Sequence, residues 1–454
     1  MSSRSGARNP LKPPGAVRDI ARRLEDAGFE TWCVGGAVRD ALLGLPHLDW
    51  DLATAATPAQ VQALFRRTIP VGLAFGTVGV LDPSGTMHEV TTFRRDVRTD
   101  GRHAEVQFGA SLDEDLARRD FTINAIALSP ATGRIHDPFD GQGDLTRRVV
   151  RAVGAPDGRM REDRLRALRA LRFAARFGFT IEADTWRAIV ASAPHLTRLS
   201  MERVQQEIQK TMEQVPRPST AFRLWQESGA LKTLIPSLAP LSEITFGSLD
   251  VLPRPARGRP QRLINRLTAL FAELDAREVA RALRSLRFSN SDIRWMSEVV
   301  ERWRALETPI GQALRRAEPP PDAMLRRWVA SMGRTRIGAV LRLGAARYAA
   351  MRSLPPAALA ALGVSAPPSE RAVAALYRRA WRAAFRDPVD VGDLAVDGDD
   401  LITAGVPAGP KVGRTLHLLL DQVIEDPSRN TVDWLLAYVR SQGRQPDPPE
   451  RGGA

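Results

Sequence analysis

The chain has 454 residues, 43% of them hydrophobic and 26% charged, the ordinary balance of a soluble globular protein with two to four domains. No apolar run reaches the ~18–20 residues of a membrane span, and the lone cysteine, Cys33, excludes an intramolecular disulfide or a Cys-rich zinc site. A formal net charge of +13 favours a polyanionic partner, most simply nucleic acid, although the bias towards Arg, Ala and Pro fits a GC-rich genome as well.

Residues 1–15 read as a flexible basic tail without an apolar signal core, which points to a cytoplasmic protein. Residues 16–27 form an amphipathic helix ended by Gly28, residues 31–34 a strand that buries Cys33, residues 37–43 a helix stopped by Gly44, and residues 50–53 a strand. Thr57 caps a helix running to about Phe65, with Pro58 in its first turn. Residues 77–82 and 87–93 are β-rich and joined by Pro83-Ser84-Gly85, a hairpin signal. Residues 16–150 thus make an α/β unit, closed by a turn-rich segment at 137–145. From Arg161 onward the periodicity is helical, and proline breaks divide the chain into 151–215, 216–330 and 331–442. Residues 248–260 and 318–322 are the linkers, residues 443–454 read as disordered, and the six histidines share no metal-ligand spacing.

The run Gly35-Gly36-Ala37-Val38-Arg39-Asp40, followed by Asp49-Trp50-Asp51, is rich in chemistry. Paired glycines let backbone N–H groups approach a phosphate, and the helix behind them favours negative charge at its start. Alternate residues of a strand share a face, so Asp49 and Asp51 point one way and Trp50 the other. Two adjacent carboxylates raise each other's pKa unless a cation lies between them, and oxygen ligands at this spacing suit Mg²⁺ held together with substrate phosphates. A two-metal site needs a third acid. Glu89, on a strand that hairpin pairing could bring beside the pair, is the candidate; its plain alternative is a solvent-facing strand residue.

Arg118 and Arg119 precede Asp120 and an apolar run, and their planar forks suit a triphosphate, whereas alone they would be a solvated charge run. In the block from Glu162 to Arg172, Leu165, Leu168 and Leu171 form a buried stripe while Asp163, Arg166, Arg169 and Arg172 form a second row. An acceptor beside a donor fork matches the Watson–Crick edge of C or A and neither G nor U; the alternative is an ion-pair row on a solvated helix face.

Gly-Gly-Ala-Val-Arg-Asp, Leu-Asp-Trp-Asp-Leu-Ala-Thr, Arg-Arg-Asp-Phe-Thr-Ile-Asn-Ala and Glu-Asp-x-x-Arg, in this order, resemble the bacterial tRNA nucleotidyltransferase and poly(A) polymerase family, the CCA-adding enzymes of the second class. The resemblance is dense over residues 31–210 and implies an α+β protein: a polymerase-β-like head with a mixed or antiparallel sheet at 16–150, then all-α neck (151–215), body (216–330) and tRNA-binding tail (331–442). It implies that Gly35, Gly36, Arg39, Arg118 and Arg119 bind the nucleotide, that Asp49 and Asp51 hold Mg²⁺, and that Asp163 and Arg166 read the base, with Arg169 and Arg172 supporting the triphosphate or that helix. Glu202, Arg203 and Glu207 would brace the neck, on a helix capped by Ser200. One departure is the loop at 95–105, which is short and lacks the aromatic residue and proline that the family carries there.

The expected activity is template-free addition of C and/or A to the tRNA 3′ end from CTP and ATP, with a two-metal Mg²⁺ site and no obligatory protein partner. The alternatives are a poly(A) polymerase on the same scaffold, a non-catalytic tRNA-binding protein, and a small-molecule nucleotidyltransferase for which the basic helical half would lack a purpose.

Overall fold

A computed structural model of the chain describes residues 11–46, 49–99, 104–316, 318–364 and 366–442. The chain divides into two compact units, Met1–Pro240 and Leu241–Ala454.

The first unit begins with strands β1 (Thr31–Val34), β2 (Asp51–Thr54), β3 (Thr68–Gly72), β4 (Thr77–Leu81), β5 (Met87–Thr92), β6 (Arg94–Thr99), β7 (Ala104–Phe108), β8 (Ala127–Leu128) and β9 (Ile135–His136). Seven of them form one sheet in the order β3-β4-β5-β2-β1-β8-β9, and β6 and β7 form a separate ribbon. Within the sheet only β2 and β5 pair in parallel, Leu52 opposite Val90; the other pairs are antiparallel. Helix α1 (Gly15–Asp26) precedes the strands, and α2 (Gly36–Leu42), α3 (Pro58–Leu64), α4 (Leu112–Ala117) and α5 (Gly141–Arg147) lie between and after them. Trp32, Val34, Ala53, Phe93, Leu112, Leu116, Ala125, Ala127 and Val153 close one core beneath the sheet.

Local signals in the sequence mostly become these elements. Thr57 accepts the N–H of Gln60 while Gln60 reaches back to the Thr57 N–H, a full capping box with Pro58 in the first turn. The 77–81 and 87–92 hairpin forms. Strand β3, at the sheet edge, has three exposed residues at its centre and gave no alternating pattern to read. The expected loop at 95–105 is, where described, the paired ribbon of β6 and β7; residues 100–103 lie outside the described residues.

Beyond the sheet come α6 (Pro156–Glu162), α7 (Leu165–Phe177), α8 (Ala183–Ser192), α9 (Met201–Gln214), α10 (Pro218–Glu227) and α11 (Ala230–Leu234), with a two-residue parallel pair, β10 (Val149–Val150) and β11 (Thr180–Ile181), tying the start of α8 to the end of the sheet region. The expectation of one helix across 162–172 fails at its start. Asp163 has extended backbone (φ −146°, ψ 104°), because its carboxylate accepts the Leu165 N–H at 3.0 Å and so ends α6 and begins α7. Ser200 stands at the N-cap of α9 as expected, but its side chain makes no capping bond.

α7 and α9 are joined by a buried ion pair. Arg172 Nε donates to Glu207 Oε2 at 2.7 Å, with side chains only 3% and 1% exposed, and Arg172 Nη1 donates to Gln214 at 2.9 Å. Burial pushes the Arg172 pKa down while Glu207 pulls it back up.

The second unit is helical wherever it is described: α12 (Glu243–Val251), α13 (Gln261–Leu270), α14 (Ala276–Ser285), α15 (Asn290–Leu314), α16 (Asp322–Met332), α17 (Ile337–Arg352), α18 (Pro356–Ala361), α19 (Glu370–Arg386), α20 (Gly398–Thr403), α21 (Pro410–Glu425) and α22 (Val432–Gln442). The linker expected at 248–260 is shorter than read, since residues 248–251 finish α12, and Asp322 opens α16 rather than ending a linker. Val396, Leu401, Val406, Leu419, Val423 and Leu435 build a separate small core from α20 to α22.

Removing one partner of a buried ion pair leaves the other charge desolvated, at a cost of about 3–5 kcal/mol. Glu207→Ala is therefore expected to lower unfolding free energy in urea by that amount and Glu207→Gln by less; wild-type stability in both variants would show that the pair does not hold α7 to α9.

Candidate active site

The parallel register places Glu89 beside Asp51, one step along from the Leu52–Val90 pair. That pairing, not the β4–β5 hairpin, brings the third acid to the first two. β2 starts only at Asp51, so Asp49 precedes the strand, yet burial still alternates: Asp49 exposed, Trp50 buried, Asp51 half-buried. Among the described residues, none of the carboxylates of Asp49, Asp51 and Glu89 makes a hydrogen bond or ion pair. Burial, then Glu89, pushes the Asp51 pKa up to about 6; Arg119 opposes this and Asp49 adds to it. Two hard carboxylates with no ion-pair partner fit Mg²⁺, which takes one or two protein carboxylates and completes its shell with phosphates and water. Among the described residues no group of three or more His, Cys, Asp or Glu side chains is set to hold a metal ion, and Glu89 is exposed.

Asp51 also borders a cavity of about 490 Å³. Gly35, Gly36, Arg39, Arg118, Arg119, Asp163, Arg166, Arg169 and Arg172 line it too, so every expected site residue except Asp49 and Glu89 converges there. Gly35 has φ of 78°, and a Cβ on it would lie 3.1 Å from Arg119 Nη1 and 4.0 Å from Asp51 Oδ2. The glycine turn is what allows a guanidinium to approach the acidic edge.

Most of these cations are held by acids. Arg118 Nε and Nη2 donate to Asp115 Oδ1 at 3.0 and 2.7 Å, and Arg119 Nη2 donates to Asp115 Oδ2 at 3.1 Å. Burial of Asp115 works to raise its pKa, but Arg119 and Arg118 outweigh it and the pKa is lowered. Arg169 pairs with Asp120 at 2.7 Å, and its pKa is raised, chiefly by that charge. Arg39, 4% exposed, binds Asp40 at 2.7 Å and donates to Asn124. Aromatic faces separate the like charges: Arg39, Arg169 and Arg172 stand 5.1, 5.3 and 4.4 Å from the centre of the Phe173 ring. Arg119 keeps a buried Nε with no partner.

Asp163 and Arg166 meet at the α6–α7 junction. Asp163 Oδ2 accepts from Arg203 at 2.7 Å, and Oδ1 accepts the Leu165 N–H. Arg166, 9% exposed, donates to Glu162 at 2.7 Å and to the Arg118 carbonyl at 3.2 Å. Each carboxylate oxygen has a second lone pair, so acceptor capacity remains.

The cavity wall includes Asp120, Asn124, Phe173, Arg176, Lys210 and Gln214, which the sequence reading did not assign to the site. Arg176 binds Asp40 at 2.9 Å and stays 23% exposed; Lys210 lies 3.8 Å from Glu207 and is 44% exposed. Arg176 follows Arg169 and Arg172 at helical spacing, a signal that could have extended the row by one turn. Lys210 and Gln214 arrive by packing of α9, which no local pattern reports.

Residues 31–151 match the family described as "Poly A polymerase head domain" and residues 178–241 that described as "Probable RNA and SrmB- binding site of polymerase A". A CCA-adding enzyme of Geobacillus kaustophilus is 35% identical over 441 residues, 96% of this chain and 98% of that protein. One from Geobacillus thermodenitrificans is 47% identical over 236 residues, 51% of this chain and 57% of its own length. The crystal structure of the Bacillus stearothermophilus CCA-adding enzyme in complex with CTP superimposes with a TM-score of 0.71 at 32% identity, covering 96% of this chain and 98% of that one. With likeness at this level over nearly the whole length, the chain belongs to the family of bacterial CCA-adding enzymes.

Proposed function

We propose that this chain extends the 3′ end of tRNA with C and A, taking CTP and ATP and releasing pyrophosphate, with no nucleic-acid template. The observation that carries the reading is Asp51, of the Asp49 and Asp51 pair, bordering an arginine-lined cavity beside Gly35. We assign 16–150 as head, 151–215 as neck, 216–330 as body and 331–442 as a tail that holds tRNA, in a cytoplasmic protein. No described helix is long and apolar enough to cross a membrane.

The chain's own groups divide the work. Asp49 and Asp51 are the metal ligands, and the negative charge of Glu89 beside Asp51 strengthens the demand for a cation there. Mg²⁺, when bound there, would neutralise the attacking and leaving oxygens. Arg119, with its spare Nε, and Arg118 direct donors at the phosphates; Arg176 and Lys210 add partly exposed charge for the departing pyrophosphate. The tRNA 3′-hydroxyl gives up its proton to solvent, its oxygen bonds to the α-phosphorus, and the bond from that phosphorus to the oxygen bridging to the β-phosphate breaks, so that pyrophosphate leaves with the electron pair. Asp163 accepts from the exocyclic amine of C or A, and Arg166 donates to the ring acceptor beside it. Arg169 and Arg172, tied to Asp120 and Glu207, position that helix.

Extension of tRNAs ending before the first C, after one C and after two, each with a single nucleotide, tests the reading directly. Stepwise C, C, A addition is expected; long A-tracts would make the chain a poly(A) polymerase. Asp49→Ala should cut incorporation by roughly 10³-fold or more, the scale of losing a strong charge-stabilising group, while tRNA binding survives. A fully active variant would end the assignment of that pair.

Arg166→Ile should relax base choice, costing about 1–3 kcal/mol of discrimination against G and U in single-nucleotide kcat/KM ratios. Unchanged selectivity would remove Arg166 from base reading.

The Asp51 pKa gives a pH dependence. The folded protein holds this proton more tightly than an ordinary carboxyl of pKa 3.8, so ionising Asp51 without a cation costs stability as pH rises towards about 6. A cation competes with that proton. The Mg²⁺ concentration for half-maximal activity should therefore climb as pH falls through about 6; a flat Mg²⁺ requirement between pH 5 and 7 would contradict the assignment.

A further inference from the structure

The second unit carries a surface that the nucleotidyl-transfer site does not use. On α19, Tyr377, Trp381 and Phe385 recur every fourth residue, with ring centroids 6.2 and 5.2 Å apart. Trp381 is 41% exposed and Phe385 61%, an unusual state for large rings on a helix whose other face is packed. Arg378, Arg382 and Arg386 follow the rings one residue later, so a second row of guanidiniums runs alongside the first at the same rise of about 6 Å per step. All three are exposed, and among the described residues none makes an ion pair; Arg379, between them in sequence, is instead held by Asp322 at 2.6 Å.

The ladder is seated, not loose. A Cβ on Gly338 of α17 would lie 3.2 Å from the Trp381 ring and 3.1 Å from Arg342 Nη1, so the glycine provides the flat place against which the indole rests. Arg342 is tied to the Gly338 carbonyl at 3.0 Å, beside that seat. Past Tyr377 the surface continues into a trough of about 530 Å³ with Ala345, Ala349 and Ala374 among its walls and Arg352 at its edge.

We propose that this face is a stacking platform for RNA. Unstacked nucleobases of the tRNA lie on the Tyr377, Trp381 and Phe385 rings, and the neighbouring arginines take the phosphates. Every base has a flat π-face, so aromatic side chains interleaved with cations bind single-stranded segments with little regard to sequence. Charge decides between RNA and a helical protein partner. α19 carries five arginines against one acid, Glu370. A docked amphipathic helix would want a continuous apolar stripe, whereas here a cation stands beside each ring. The proposal rests on the tRNA reading above and adds to it a surface outside the catalytic unit.

Anisotropy of labelled tRNA tests it on the full chain. Trp381→Ala/Phe385→Ala is expected to bind tRNA about 10–100-fold more weakly, the scale of losing one or two base stacks, with an equal rise in KM for tRNA. CTP binding, measured separately, reports that the variant is folded, and Phe385→Ala alone, at the most exposed ring, gives a second variant with a smaller loss in the same direction. Trp381→Phe/Phe385→Tyr should restore affinity, and Trp381→Leu/Phe385→Leu should not. Wild-type tRNA affinity in the double alanine variant, restoration by leucine, or a change confined to the sedimentation state would overturn the platform, the last in favour of protein docking. Failure of the wild-type chain itself to bind tRNA would overturn both this proposal and the tRNA reading.

Discussion

A guanidinium removed from water must find an acid, a carbonyl or an aromatic face, and the first unit is organised around that demand. Seven arginines among the described residues border one cavity, and acids from five different elements or junctions hold them: Asp40, Asp115, Asp120, Glu162 and Glu207. Phe173 stands among three of the guanidiniums and keeps them apart. The sheet, α7 and α9 are thereby locked by the same contacts that set the cavity's charge. A site built this way is preorganised, since its cations are already desolvated and aimed before any phosphate arrives.

The acidic edge is the exception, and that is what makes it informative. Asp49, Asp51 and Glu89 make no hydrogen bond or ion pair among the described residues, and Asp51 is raised to about 6 despite the Arg119 charge, while the more deeply buried Asp115 and Asp120 are lowered by their arginines. Unanswered negative charge beside an arginine-lined hollow is a demand for an external cation and an external polyanion together, which a nucleoside triphosphate with its metal supplies.

Much of this was legible in the sequence because it is local. The glycine turn, the Asp-x-Asp step, the capping box at Thr57 and the hairpin at Pro83-Ser84-Gly85 each act within a few residues. What the sequence hid was set by distant pairing. Strand β5 reaches β2 in parallel, so Glu89 meets Asp51 through a crossover that no hairpin rule describes. Asp163 reads as the start of a helix until its carboxylate is seen to cap the next one. Lys210 and Gln214 enter the cavity only because Glu207 binds Arg172 and fixes the face of α9.

The second unit repeats the chemical theme in another form: Arg378, Arg382 and Arg386, without an ion pair among the described residues, stand beside exposed rings on α19 instead of being buried among acids. For the molecule as a whole, the decisive measurement is diffraction from crystals containing CTP and Mn²⁺. Anomalous density touching both Asp49 and Asp51, with the triphosphate continuing past Gly35 towards Arg119 and the cytosine at Asp163 and Arg166, is the expected result. Manganese bound away from that pair, or CTP bound outside the arginine-lined cavity, would contradict the catalytic assignment at its base.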